Sequence, residues 1–346
     1  MNQEIYLGGR RIAADAPVFI VAEMSANHLQ DYDRAIEIIH AAKEAGADAI
    51  KLQTYTADTM TVDSDADCFI NKGGLWDGIK EYDLYKQAYT PWEWHAGLME
   101  EAKKCGLLCF SSPFDATAVD FLEELDAPAY KIASYEINDI PLIRRVAKLH
   151  KPVIFATGIA HLEDIERAMN VCREEGNEDV ILLKCVSAYP TPYEDANLTA
   201  MIELYDQFGL PVGLSDHTPS WECDVAATVL GAQVIEKHFT LDKSLPGPDQ
   251  KASLDPAEFA AMVLAVRHAE AALGDGHKHL TASEAPNKAI ARKSIVAARP
   301  IKAGEVFTAE NLLTKRPGDG ISPMLWYTVL GQTAKRDFAE DEKIEL

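Results

Sequence analysis

Two histidines stand where apolar runs of the chain give way to polar residues. His217 closely follows the run 211–214, and His238 ends the run that starts at Val234. If both runs are neighbouring strands of a parallel barrel, the two imidazoles emerge together on the face where such barrels carry out chemistry. This placement predicts a metal site. The alternative for either histidine alone is a hydrogen-bonded core residue.

The kind of metal follows from the number of ligands that the pair can supply. Catalytic zinc usually has three protein ligands, and no cysteine stands near either histidine in the sequence. Two histidines with open positions suit a six-coordinate, loosely held Mn²⁺, with Mg²⁺ or Co²⁺ as alternatives, completed by water and substrate oxygens. Asp216 is a further candidate ligand. Alternation along a strand turns its side chain away from that of His217, which favours a supporting or structural role.

Two lysines inside predicted strands, Lys51 and Lys131, indicate an anionic ligand. A lysine buried without a partner costs several kcal/mol, so each must reach solvent, a bound anion, or an internal carboxylate such as Glu23 or Glu136. Two of them favour the anion, because each contact at about 4 Å contributes ~4 kcal/mol at an effective dielectric near 20. Other polar residues at predicted strand ends would complete the site; they are Gln53, Ser111, Ser112, Ser134, Thr157, Ser187, Tyr189 and Ser215.

These residues need a fold that brings many strand ends together. Apolar runs typical of buried strands occur at 18–22, 49–53, 107–111, 129–133, 153–157, 180–185, 211–214 and 234–238. Segments with apolar residues three and four apart predict helices at 32–45, 91–105, 116–125, 140–149, 162–175, 198–208, 220–230 and 256–273. Strict β-α alternation over about 250 residues predicts an α/β fold, a parallel sheet closed as a (β/α)8 TIM barrel. A doubly wound open sheet is the alternative.

Two segments depart from this alternation. Residues 55–90 form a long, acidic and aromatic insertion after the second strand, which predicts an ordered excursion over the barrel face, either a lid or a packed surface loop. Past Leu273 the pattern changes to short β-like runs separated by turn signals. We therefore expect a barrel domain over 1–275, a linker over 276–288 and a small β-rich domain over 289–346.

Composition restricts the partners and the compartment. The chain of 346 residues carries 33 basic and 55 acidic residues, a net charge of −22. Nucleic acid and anionic membranes would be repelled, so neither is expected as a partner. The N-terminus lacks the apolar stretch of a secretory signal, and no run of about 18 apolar residues occurs, which predicts a cytoplasmic protein. Six cysteines without a Cys-x-x-Cys pair are expected to be reduced core thiols.

Motifs spread over nearly the whole chain resemble those of the sialic acid synthase family. They are Ala22-Glu23-Met24-Ser25-Ala26-Asn27-His28, Ile50-Lys51-Leu52-Gln53-Thr54, Ser111-Ser112-Pro113-Phe114-Asp115, Tyr130-Lys131-Ile132-Ala133-Ser134, Ala156-Thr157-Gly158, Ser187-Ala188-Tyr189-Pro190-Thr191, Leu214-Ser215-Asp216-His217-Thr218, Glu236-Lys237-His238-Phe239-Thr240 and Pro246-Gly247-Pro248-Asp249. The C-terminal part resembles the antifreeze-like (SAF) domain of the same family.

The resemblance implies an activity and a role for each site residue. Members of the family condense phosphoenolpyruvate with an acetamido hexose, giving a nine-carbon 2-keto acid and phosphate. The metal would be held by His217 and His238, and would activate the sugar aldehyde for attack by phosphoenolpyruvate. Residues around the phosphoenolpyruvate would be Lys51, Ser112, Lys131, Ser134, Thr157, Ser187 and Ser215. Those facing the sugar would be Glu23, Gln53, Glu136, Tyr189 and Asp249, with Glu23 also handling water or a proton.

Within the family, the Ala-Glu-Met-Ser-Ala-Asn-His motif and the segment 74–95 look most like the pseudaminic acid branch. The N-acetylneuraminate branch tends to have Ala-Glu-Ile-Gly-Ile-Asn-His-Asn-Gly there, asparagine in place of Ser187, and serine in place of Ala156. These departures favour a different sugar, 2,4-diacetamido-2,4,6-trideoxy-L-altrose, over N-acetylmannosamine. They also leave the role of Ser187 open.

The resemblance also implies a domain-swapped homodimer. In it, Arg316 of the small domain would reach the partner's active site and contact the sugar; the alternative is a solvated surface arginine. Three functions stay open at this point. They are the synthase, which could also make N-acetylneuraminate or legionaminate, a metal-dependent aldolase acting on free pyruvate, and a non-catalytic binder of sugar phosphates.

Overall fold

The structure is a computed structural model that describes residues 4–73 and 76–346. The chain divides into two compact units, Met1–Gly274 and Asp275–Leu346. Each unit has its own hydrophobic core.

Eight parallel strands close into a barrel in the first unit, so the predicted TIM barrel is confirmed and the open sheet was wrong. An antiparallel hairpin precedes the barrel, formed by β1 (Ile5–Leu7) and β2 (Arg10–Ile12). The barrel strands are β3 (Phe19–Glu23), β4 (Ala49–Thr54), β5 (Leu108–Pro113), β6 (Tyr130–Ile132), β7 (Val153–Ala156), β8 (Val180–Cys185), β9 (Val212–Asp216) and β10 (Val234–His238). Closure pairs β10 with β3, which places His238 opposite Glu23.

Helices separate the strands and, apart from α2 and α3 of the insertion after β4, form the outer layer of the barrel. They are α1 (Tyr32–Glu44), α2 (Ala57–Met60), α3 (Glu81–Ala88), α4 (His95–Lys104), α5 (Ala116–Glu124), α6 (Ile140–Ala147), α7 (Leu162–Glu174), α8 (Ala200–Phe208), α9 (Glu222–Val229) and α10 (Pro256–Leu273). Aspartate side chains accept backbone N–H groups at the starts of four helices, each such cap contributing about 1 kcal/mol. They are Asp31, Asp115, Asp139 and Asp255.

The inside of the barrel is apolar at the amino ends of its strands. Phe19 and Phe110 lie there fully buried, and Ile5 and Leu7 of the first hairpin pack into the same cluster. Burying one such side chain contributes about 1.5–3 kcal/mol. Because the amino ends are filled in this way, the polar residues of the strands gather at the carboxyl ends.

The insertion between β4 and α4 is built from α2, a 3-10 turn at Asp67–Phe69, and α3. Its side chains pack onto the carboxyl-end face of the barrel: the Trp76 indole N–H donates to the carbonyl of Pro248 at 3.0 Å. The ring of Tyr85 meets that of Tyr55 edge-on, with centroids 5.8 Å apart. The predicted excursion over the barrel face is therefore present as a packed segment. Gly74 and Leu75 lie outside the described residues.

The second unit contains α11 (Ala285–Ala291), β11 (Ser294–Ala297), β12 (Leu312–Lys315) and α12 (Trp326–Val329). The two strands pair antiparallel, and isolated bridges such as Ile301 with Phe338 extend the β structure. Short β runs were predicted for this part of the chain, and β11 and β12 are two short strands within it.

Among the described residues, no helix is both long and apolar enough to cross a membrane. All six cysteines are free. Cys109, Cys172, Cys185 and Cys223 are buried, whereas Cys68 in the insertion is exposed and Cys105 is half-buried. The expectation of core thiols was therefore wrong for Cys68, which stands in a surface turn.

Candidate active site

A cavity of about 500 Å³ opens at the carboxyl ends of the barrel strands. The residues that line it include most of the predicted site: Lys51, Gln53, Ser112, Lys131, Ser134, Glu136, Tyr189, Ser215, His217, His238 and Asp249. They come from different strands and from the loops that follow, as expected for a barrel active site. Three predicted residues of the same unit do not line it: Glu23, Thr157 and Ser187.

The two histidines lie side by side with ring centroids 5.3 Å apart. Nδ1 of His217 is 2.8 Å from the carbonyl of Val186, so Nδ1–H donates and Nε2 keeps its lone pair. Nδ1 of His238 is buried and has no hydrogen-bond partner among the described residues. Burial lowers the pKa of both His217 and His238 to about 3, His217 being further lowered by His238 and His238 by Lys51. Neutral imidazoles with free nitrogen lone pairs fit a divalent metal ion.

Tyr189 covers the histidine pair. Its ring centroid lies 4.2 Å from that of His217 and 5.8 Å from that of His238. The Sγ of Cys185, a residue that the sequence analysis did not propose, is 3.8 Å from Nδ1 of His217. The only signal for Cys185 was its position two residues before Ser187, at the carboxyl end of β8.

Both lysines pair with internal carboxylates. Nζ of Lys51 is 2.7 Å from Oε2 of Glu23 and 3.3 Å from Oε1 of Glu236, and Nζ of Lys131 is 3.0 Å from the same Glu236 oxygen. Internal pairing, the alternative in the sequence analysis, is thus present. The partner of Lys131 is Glu236, not Glu136, and Glu236 was missed. Strand alternation could have found it, because Glu236 stands two residues before His238 and so faces the same side.

The pKa values of this cluster follow from burial and mutual attraction. Burial raises the pKa of Glu23, although Lys51 opposes the rise. Burial disfavours the charged form of Glu236, but Lys131 and Lys51 outweigh it and hold its pKa well below the usual range. Burial lowers the pKa of Lys131, whereas Glu23 and Glu236 together overcome burial and raise that of Lys51.

Hydroxyl groups surround the lysines. Ser112 Oγ accepts from Lys51 Nζ at 3.4 Å, and Ser215 Oγ donates to Glu236 Oε1 at 3.1 Å. The hydroxyls of Ser134 and Ser187 are 2.6 Å apart, which ties Ser187 to the cavity wall. Thr157 turns away, because its hydroxyl donates to the carbonyl of Leu183 at 3.0 Å.

A third group of polar side chains lies nearer the insertion. Gln53 Nε2 donates to Glu23 and to Ser25, both at 3.1 Å. The Ser25 hydroxyl in turn donates to Asp249, whose pKa is raised by burial. Glu136 stands apart: one of its oxygens is buried without a hydrogen-bond partner among the described residues, and burial raises its pKa to about 7.

Aromatic residues form another part of the cavity wall. Tyr55 packs edge-on against Phe114 at 5.2 Å, and Trp76 lies 5.8 Å from Tyr189. Together with Tyr85 these side chains line the cavity. The composition of the insertion pointed to an excursion over this face, but not to which of its rings reach the cavity.

One further predicted residue and one further trio of possible metal ligands belong to other elements of the chain. Arg316 belongs to the second unit, where its Nε donates to the carbonyl of Ala291 at 2.7 Å. His40, Glu101 and Cys105 form a donor trio on α1 and at the end of α4, outside the cavity lining. His40 and Glu101 already hydrogen-bond each other at 2.8 Å. His40 is exposed and Glu101 and Cys105 are half-buried, whereas His217 and His238 are buried and line the cavity, so the histidine pair suits the predicted metal better than the trio does.

Comparisons with known proteins agree with this geometry. Residues 38–278 match the NeuB family and residues 292–345 match the SAF domain. The chain is 50% identical to the pseudaminic acid synthase of Campylobacter jejuni (strain 81-176) over 323 residues, 93% of this chain and 94% of that protein. It is 40% identical to the N,N'-diacetyllegionaminic acid synthase of Campylobacter jejuni (strain NCTC 11168) over 327 residues, 94% of this chain and 98% of that protein.

A solved structure gives the same result for the fold. The crystal structure of N-acetylneuraminic acid synthetase from Leptospira borgpetersenii, in complex with citrate, superposes with a TM-score of 0.74 at 34% identity. The match covers 83% of this chain and 95% of that one. Since the family match spans most of the barrel that carries the cavity, the chain belongs to the NeuB family and ends in a SAF domain.

Proposed function

We propose that the chain is a pseudaminic acid synthase. It condenses phosphoenolpyruvate with 2,4-diacetamido-2,4,6-trideoxy-L-altrose and water, and releases pseudaminic acid and phosphate. The observation that carries the proposal is the higher identity to a pseudaminic acid synthase than to a legionaminic acid synthase, over nearly the same length of chain. The cavity supports it, because neutral histidines and buried lysines line the same space.

Lys51 and Lys131 would bind the phosphate and carboxylate of phosphoenolpyruvate. Both ammonium groups reach the cavity, and the hydroxyls of Ser112, Ser134 and Ser215 add neutral donors. Burial favours a proton on Glu23. When Glu23 is neutral, two ammonium groups face the single negative charge of Glu236, and the surplus positive charge attracts an anion into an otherwise acidic protein. Ser187 would act by orienting Ser134, and Thr157 by supporting the wall.

The histidine pair would hold the divalent ion, Mn²⁺ in our proposal, with Mg²⁺ or Co²⁺ as possible replacements. When bound, the ion supplies Lewis-acid polarisation of the open-chain sugar aldehyde. The hydrogen bond from His217 to Val186 keeps Nε2 available as a ligand atom. Tyr189, packed on both imidazoles, excludes water from that side.

The sugar would lie between the polar group of Gln53, Glu136 and Asp249 and the aromatic wall. Polar side chains suit its hydroxyl and amide groups, and the rings suit the methyl groups of a deoxy sugar with two acetamido substituents. C3 of phosphoenolpyruvate then attacks C1 of the aldehyde, water adds at C2, and phosphate leaves. Glu23, next to Lys51, would give its proton to the aldehyde oxygen as that oxygen becomes a hydroxyl, and would then take the proton that the attacking water releases.

Phosphate release tests this function directly. Incubation with phosphoenolpyruvate, Mn²⁺ and each of several acetamido sugars should release phosphate with the diacetamido-trideoxy altrose and little with N-acetylmannosamine. His217→Ala should abolish release. Preference for N-acetylmannosamine or for the legionaminate precursor would reject the sugar assignment. Product formed from free pyruvate, without phosphate release, would identify an aldolase instead.

We also propose a cytoplasmic homodimer in which Arg316 contacts the sugar bound by the partner. Six free thiols and the use of phosphoenolpyruvate, a cytoplasmic metabolite, support the compartment. Arg316→Ala should lower turnover while the barrel stays folded by circular dichroism. Refolding it together with inactive His217→Ala chains should restore some phosphate release, because each mixed dimer then contains one intact site. No restoration would reject action across the dimer.

A further inference from the structure

A second cluster of buried ionisable groups lies on the outer side of the same strands, away from the cavity. This outer cluster consists of Asp216, Asp224 and Lys237, exposed by 3%, 0% and 0%. None of the three lines the cavity. The proposed reaction uses none of them, although burying ionisable groups is costly unless they are paired and hydrogen-bonded.

Lys237 uses all of its donors inside the protein. Its Nζ donates to Asp216, to the carbonyl of Thr218 at 2.8 Å and to the carbonyl of Ser220 at 2.6 Å. Asp216 is also fully engaged, because it accepts the backbone N–H of Thr218 at 3.0 Å and the Thr218 hydroxyl at 2.8 Å. The ion pair therefore folds the loop after β9 back onto β10.

The position of this ion pair in the sheet shows which part of the backbone it holds in place. Lys237 and Asp216 are direct partners in the pairing of β10 with β9. The next residue of each strand is a histidine of the metal pair, and strand alternation turns it to the opposite, inner side. The backbone that carries the two histidines is thus held on the outer side of the sheet by the buried salt bridge between Lys237 and Asp216.

We infer that Lys237 and Asp216 are positioning residues that hold His217 and His238 at the separation a metal ion requires. Metal–nitrogen bonds tolerate errors of only about 0.5 Å in ligand placement. A buried ion pair adds little net stability compared with apolar residues of similar size, so the role inferred for this pair is to fix the arrangement of the two strands. The inference rests on the proposed metal site and extends it to residues that touch neither metal nor substrate.

Mn²⁺ binding to the metal-free full-length protein, measured by electron paramagnetic resonance without substrate, tests the inference. Lys237→Met keeps the unbranched stem and removes the ammonium group. We expect its dissociation constant for Mn²⁺ to rise about 10- to 100-fold, the usual cost of losing a group that orients metal ligands. In turnover, the KM for phosphoenolpyruvate should stay within about twofold, and excess Mn²⁺ should restore kcat.

Lys184→Met is the matched control. Lys184 is another outward-facing lysine, on the neighbouring strand β8, whose Nζ donates to the carbonyl of Cys185 at 2.8 Å. Its Mn²⁺ affinity should equal that of the wild type. If Lys237→Met fails to fold, Asp216→Asn replaces it, since the amide keeps the shape and loses the charge. Unchanged Mn²⁺ affinity in the folded variant would overturn the positioning role of Lys237 and Asp216 and leave the proposed metal site standing. Wild-type protein without His217-dependent Mn²⁺ binding would overturn the proposed metal site as well.

Discussion

Strand β10 carries two buried charges of opposite sign on its two faces. Glu236 faces the cavity and shares its carboxylate between Lys51 and Lys131, whereas Lys237 faces outward and is enclosed by Asp216, Thr218 and Ser220. The inner lysines border open space in which a ligand can replace or join their partners. The outer lysine has no donor left. Equal burial therefore serves two purposes, ligand binding inside the barrel and fixed geometry outside it.

Removing an inner lysine should have the largest effect on catalysis. It should weaken the use of phosphoenolpyruvate and spare Mn²⁺ binding, whereas removal of the outer lysine should do the reverse. In Lys131→Met, loss of a contact worth ~4 kcal/mol should lower kcat/KM for phosphoenolpyruvate about 10³-fold. Mn²⁺ affinity should stay near the wild-type value, because the hydrogen bonds and ring contacts that hold the two histidines involve Cys185, Val186 and Tyr189 and not Lys131. Phosphate release and paramagnetic resonance measure the two quantities on the same sample. A loss of Mn²⁺ affinity as large as that in Lys237→Met would erase the distinction between the two faces.

The two faces also differ from the pairings between them in how much the sequence predicts. The eight strands and the helices between them follow from apolar runs and helical periodicity, which are local patterns. The histidines, lysines and serines followed from their places at strand ends. Each of these residues was identifiable within a window of a few positions, so the barrel and most of its polar lining could be predicted.

The pairings could not be predicted in the same way. Lys131 of β6 and Glu236 of β10 stand on strands that are not neighbours, and they meet only because the barrel closes. Trp76 reaches Pro248 across 172 positions of sequence. Such contacts depend on closure and on the packing of a long insertion. Neither leaves a local pattern in the chain.

Glu136 should show a smaller effect than Lys131 on the inner face, since this cavity carboxyl forms no ion pair with a lysine of the described residues. Burial raises its pKa to about 7, above its ordinary 4.5, so the folded state binds more protons than the unfolded state between these values. Wild-type stability should therefore fall as pH rises through this window, and Glu136→Gln should escape the loss. Its advantage in unfolding free energy should grow by about 2 kcal/mol between pH 5 and pH 8. Urea titrations of both proteins at both pH values measure this advantage. A difference in unfolding free energy that does not change with pH would contradict the raised pKa of Glu136.

Asp224 should show the smallest effect on function, although it lies in the outer cluster. Its Oδ2 is 3.9 Å from Lys237, and neither of its oxygens has a hydrogen-bond partner among the described residues. Burial raises its pKa well above the usual range, with Asp216 adding to the rise, so the folded protein holds it neutral. Asp224→Asn should therefore leave Mn²⁺ affinity and kcat within about twofold of wild type. It should also raise the free energy of unfolding at neutral pH, because the wild-type carboxyl ionises on unfolding and so favours the unfolded state, whereas the amide does not. Weakened Mn²⁺ binding in this variant would mean that the whole cluster, and not the Lys237–Asp216 pair alone, sets the separation of the histidines.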